Sequence, residues 1–98
     1  MVEQDGDARE SRIARQVLEH LARWRPTPRD VDADAVGLRG PNRHRDLLTV
    51  MATLCDSGLV MYEAIVMRAG TPCFRDAAIT ISGCAALQTM QRGDPAGV

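Results

Sequence analysis

Ninety-eight residues, 45% of them apolar, with a net charge of −1, describe one small globular domain rather than a disordered tail or a membrane protein. Three widely spaced cysteines, with no CxxC pair and no completing histidine set, argue against a disulfide framework and a zinc site. The start MVEQDGDARE is polar and acidic, unlike a signal peptide, so a cytoplasmic location is expected and no membrane contact.

Residues 1–7 lack apolar periodicity and read as a flexible tail, and residues 8–91 read as the domain. Asp7 followed by Glu10 resembles a capping box opening a helix to about Trp24. Ile13, Val17, Leu18, Leu21 and Trp24 form its apolar stripe, while Arg9, Arg12 and Arg15 read as a solvated face. Arg25-Pro26-Thr27-Pro28 breaks that helix. Thr27 as cap, Pro28 at the first position and Asp30 three after the cap predict a second helix, with Val31, Ala35 and Val36 buried. Gly37-Leu38-Arg39-Gly40-Pro41 is a turn with Leu38 as an apolar plug.

The third helix is predicted over residues 42–56. Its start is polar and basic (Asn42, Arg43, His44, Arg45), and Leu47, Val50, Met51 and Leu54 then face the core. It stops at Asp56-Ser57-Gly58. Two strands, Val60–Met67 and Cys73–Ile81, flank the Gly- and Pro-bearing segment 68–72 and predict a hairpin, with Ala77, Ile79 and Ile81 sharing a face. Thr80 or Ser82 caps a last short helix over 83–91 with Leu87 inside, and residues 92–98 read as a flexible tail.

Charge is unevenly spread. Residues 1–38 carry six Arg and eight acids, and residues 39–98 six Arg and five acids; there is no Lys. Arg39, Arg43 and Arg45 cluster at the start of the third helix, the arrangement of a helix rooted in a core at one end and aimed at an anion at the other.

The order of elements resembles the winged helix-turn-helix: an α+β, mostly helical domain with a three-helix core, a two-stranded β-hairpin wing and a short C-terminal helix. The passage LLTVMATLCDSGLV is similar to a recognition helix entering the first wing strand. AITISGCAAL is similar to the wing exit, through Ile79, Thr80, Gly83 and Leu87. MarR-like and PadR-like bacterial regulators are the nearest in style. The resemblance implies sequence-specific binding of double-stranded DNA by a transcriptional regulator, with the third helix in the major groove. It implies contacts from Arg39, Asn42, Arg43, His44 and Arg45, with Arg68 and Arg75 reaching DNA from the wing. It also implies a homodimer, for which the first and last helices are the expected surfaces.

Acids at Asp30, Asp32 and Asp34 beside the reading helix supply the alternative, a winged-helix protein-interaction or assembly module. No cofactor is expected. An enzyme is not expected either: no Ser/His/Asp signature, glycine-rich phosphate loop or metal spacing is present. Cys55 and His44 lie about 16 Å apart along one helix, too far to pair.

Overall fold

The computed structural model describes the backbone of residues 2–92 and the side chains of residues 8–92, so the remainder of the expected C-terminal tail, residues 93–98, lies outside the described residues. Helix α1 spans Val2–Trp24 and begins ahead of the capping box expected at Asp7 and Glu10. Ile13, Val17, Leu18 and Leu21 are buried at helical spacing. Trp24, expected in that stripe, is 40% exposed and carries the Arg29 guanidinium 4.1 Å above its ring.

The helix expected after Pro28 is absent. Arg29–Val31 is strand β1 instead, followed by a turn over residues 33–37. Three forces favour this outcome. Pro28 biases Thr27 toward an extended backbone. Val31 is β-branched and gains complete burial by pairing opposite Phe74. The Asp32 carboxylate accepts the Ala35 amide at 2.8 Å, which closes a turn rather than continuing a helix. Ala33, not Ala35, is therefore the buried alanine. Leu38 is buried as expected, its amide bonded to the Ala33 carbonyl at 2.8 Å.

Helix α2 spans Arg43–Asp56 and buries Leu47, Val50, Met51 and Leu54. Each such side chain contributes about 1.5–3 kcal/mol of hydrophobic stabilisation. Its end has two reciprocal bonds, Leu59 N–H to the Leu54 carbonyl (2.9 Å) and Gly58 N–H to the Cys55 carbonyl (3.0 Å). Gly58 sits at φ +74°, the left-handed cap that a glycine takes without strain.

The expected pair of strands is a four-stranded antiparallel sheet among the described residues. Strand β4 (Thr71–Ile79) runs down its middle, with β1 on one side and β2 (Val60–Met61) and β3 (Ala64–Arg68) in succession on the other. The predicted first strand breaks at Tyr62-Glu63, across from an irregularity in β4 where Asp76 takes φ +52°. The hairpin turn is only Ala69-Gly70. Both have positive φ (52° and 80°), the type I′ geometry that matches strand twist. Pro72 lies within β4 beyond the last residue paired to β1, where a missing N–H is tolerated.

Helix α3 spans Ile81–Arg92. Thr80 is its cap: its hydroxyl accepts the Gly83 amide (2.9 Å) and donates to the Gly58 carbonyl (2.7 Å). Gly83 is buried because nothing larger fits; a Cβ there would lie 2.1 Å from the Leu59 carbonyl oxygen. Leu87 faces inward, whereas Ile81, expected to continue the strand face of Ala77 and Ile79, is 83% exposed. The core is continuous between the helices and one face of the sheet, where Tyr62 meets Phe74 edge to face at 4.9 Å. The result is a small α+β fold of three helices and one antiparallel sheet among the described residues, none of whose helices is long and apolar enough to cross a membrane.

Candidate nucleic-acid interface

Residues of α2 that avoid the core define its outer face. Asn42, Arg45, Leu48, Thr49, Ala52 and Thr53 are exposed at spacings of three and four, one continuous stripe opposite Leu47, Val50, Met51 and Leu54. The stripe begins with an amide and a guanidinium and continues with small and apolar groups. Asn42 holds the cap position, yet its side chain makes no capping hydrogen bond, so its amide faces outward uncommitted. Arg45 is exposed and enters no ion pair among the described residues.

The other two polar residues at this helix start turn away. Arg43 folds back on the preceding turn: Nη1 donates to the Gly40 carbonyl at 3.0 Å, and Nε lies 3.9 Å from the Asp34 carboxylate. His44 is half-buried, with Nδ1 enclosed and lacking a hydrogen-bond partner among the described residues. Spaced 100° apart round a helix, four consecutive residues cannot share one face, and the core decides which are turned inward. Arg39, on the turn, is exposed and also without an ion pair among the described residues.

The hairpin arginines have a different setting. Arg68 Nη2 lies 3.1 Å from Asp30 Oδ2, and Arg75 Nη2 lies 3.9 Å from Glu63 Oε1. The second oxygen of Asp30 accepts the Asp76 amide at 3.1 Å and so holds the irregular backbone of β4. That amide, and then Arg68, keep the Asp30 carboxyl below its ordinary value of 3.8. Asp30 is thus ionised at any neutral working pH, and it is a strand side chain rather than the helix-start acid expected. These pairs are solvent-exposed and screened by water, so they add little to stability; their effect on the site is to cancel charge locally.

Sequence reasoning missed three features. Leu48, Thr49 and Ala52 belong to the exposed stripe, and the signal was available in their spacing from Arg45. Arg9 and Arg12 of α1, read as a solvated face, lie in the same groove as Arg39. The pairing of Asp30 with Arg68 across 38 residues had no local signal. Among the described residues no cluster of His, Cys, Asp and Glu is arranged to hold a metal. No family model, curated protein or solved structure matches the chain.

Proposed function

We propose that this protein is a small sequence-specific double-stranded DNA-binding protein, a transcriptional regulator reading the major groove with α2, in a variant of the winged helix-turn-helix in which the helix expected after Pro28 is reduced to strand β1 and the turn over residues 33–37. The observation that carries the reading is the outer stripe of α2: an uncommitted amide, an unpaired guanidinium and small apolar groups, on a helix anchored by its opposite face. Each group has a base-edge counterpart. Arg45 would fork onto guanine O6 and N7, Asn42 would pair with adenine, and Leu48 or the Thr49 methyl would meet a thymine methyl. Arg39 and Arg43 would contact phosphates beside the helix start, and His44 would act by packing. Arg68 and Arg75 would arrive with their carboxylates attached and add little net attraction. A two-fold pair of molecules would place α2 in successive major grooves, and a homodimer is part of the proposal.

Fluorescence anisotropy with a mixed-sequence duplex at low salt tests the reading. The expected result is binding that weakens steeply with salt and is reduced about tenfold or more by Arg45→Ala. Absence of salt-dependent binding by the intact chain would dismiss the proposal.

One observation favours a second reading, a protein-interaction module. Three of the five arginines proposed for DNA lie beside acids of the same chain, and Met61, Ile65 and Met67 are exposed along the β2–β3 edge. Capture of a defined protein partner that Met67→Lys abolishes, with no DNA binding in parallel, would favour this reading over the first.

A further inference from the structure

A groove of about 200 Å³ lies between α1 and the turn that precedes α2, lined among others by Arg9, Arg12, Gln16, Leu38, Arg39 and Asp46. Arg9, Arg12 and Gln16 reach it because positions three and four apart share one face of α1. The opposite wall is built by the turn. Burial of Leu38 fixes the turn against the core, so that Arg39 emerges at the rim. Gln16 Nε2 donates to the Val36 carbonyl at 3.3 Å and ties α1 to the same turn.

Among the described residues the charges of this groove do not cancel. Asp46 is its only acid among the described lining residues, and it is held by Arg9 through a short ion pair. Arg12 and Arg39 are exposed and have no ion pair among the described residues. Arg12 and Arg39, from different elements, therefore line one polar concavity whose described lining residues carry a net excess of positive charge. Planar, fully ionised guanidiniums match the geometry of phosphate oxygens. Arg9 and its bound Asp46 brace the inner wall, since Asp46 belongs to the first turn of α2.

The geometry points to this groove as a binding site for a phosphoryl group, with Arg12 and Arg39 as its two jaws. The phosphate assigned to it is one of a DNA backbone beside the α2 reading face, an assignment that rests on the function proposed above; the anion chemistry of the groove stands without it. The groove fixes register and contributes affinity equally on all sequences, because phosphate contacts carry no base information. It differs from the hairpin, where each arginine already has a carboxylate within 4 Å.

The test titrates isotope-labelled protein with inorganic pyrophosphate and, separately, with a mixed-sequence duplex, for wild type, Arg12→Gln, Arg39→Gln and Arg45→Gln. Pyrophosphate should move the amide resonances of Gln16, Gly37, Leu38 and Arg39, and either groove variant should abolish the movement while Arg45→Gln leaves it intact. On the duplex, Arg12→Gln should weaken binding about threefold or more on every sequence and lower the slope of log K against log salt by about 0.9. Pyrophosphate binding that depends on Arg12 and Arg39, without any duplex binding, would keep the groove as a site for a free phosphorylated ligand and defeat the DNA reading. Duplex binding that depends on Arg45 but is indifferent to Arg12, with no response to pyrophosphate, would overturn the groove and leave the DNA reading standing.

Discussion

The start of α2 and the β3–β4 hairpin each present two arginines, yet the two regions differ in how those arginines are paired. In the hairpin, Arg68 and Arg75 lie beside Asp30 and Glu63. At the helix, Arg45 has no ion pair among the described residues, and Arg43 is tied mainly to a carbonyl, with Asp34 at 3.9 Å. An arginine near a possible DNA surface is thus no measure of attraction to phosphate; the acids that the fold brings beside it decide that. A sheet gathers side chains from distant segments, which is how Asp30 of β1 meets Arg68 of β3 across β4. An outward helix stripe meets only its own neighbours three and four positions away.

The comparison can be broken most forcefully at the junction joining the two regions. Gly83→Ala would drive a methyl against the Leu59 carbonyl, at the point where α2 gives way to β2. The expected loss is about 3 kcal/mol of stability, the upper end for overpacking, read as a lower denaturant midpoint with an unchanged slope. The next largest effect separates the regions directly. Arg45→Ala should reduce duplex affinity about tenfold or more, the worth of one forked base contact, whereas Arg68→Ala or Arg75→Ala should change it by less than about threefold. Equal losses at all three positions would erase the distinction.

A smaller effect sharpens it. Asp30→Asn keeps an oxygen to accept the Asp76 amide but removes the charge beside Arg68. Duplex binding should tighten by a few fold and its salt slope should steepen by about 0.9, measured by anisotropy across a salt series. The smallest effect lies outside both regions. Burial, then Arg23 and Arg29, hold the His20 pKa below 6.5 in the folded protein. The unfolded chain therefore takes up the proton first, and the associated stability, present above pH 6.5, is lost as pH falls through the lowered folded value. His20→Gln should flatten this acid-side decline in denaturant midpoint while leaving duplex affinity unchanged.

Much of the helical frame was legible because it obeys local rules. The stripes of α1 and α2, the plug at Leu38, the stop at Gly58 and the cap at Thr80 each follow from residues within a few positions of one another. The misread segment is instructive. Thr27-Pro28 with Asp30 has the composition of a helix start, but Asp30 found its amide at Asp76, 46 residues away, and Val31 found its partner at Phe74. A signal for a cap and a signal for a strand edge use the same residues, and tertiary pairing chose between them. The candidate site divides in the same way. Arg45 and Asn42 could be placed on the outer face by spacing, whereas the retreat of Arg43 to Gly40 and Asp34, and the pairing of Arg68, depend on turns that local sequence did not specify.

The most direct test of the central claim, that α2 reads bases while the hairpin does not, is selection of binding sites from a randomised duplex pool with wild type, Arg45→Ala and Arg68→Ala. The expected result is a motif containing a guanine whose preference disappears in Arg45→Ala and persists in Arg68→Ala. A pool that yields no motif with wild type, or a motif unchanged by Arg45→Ala, would contradict it.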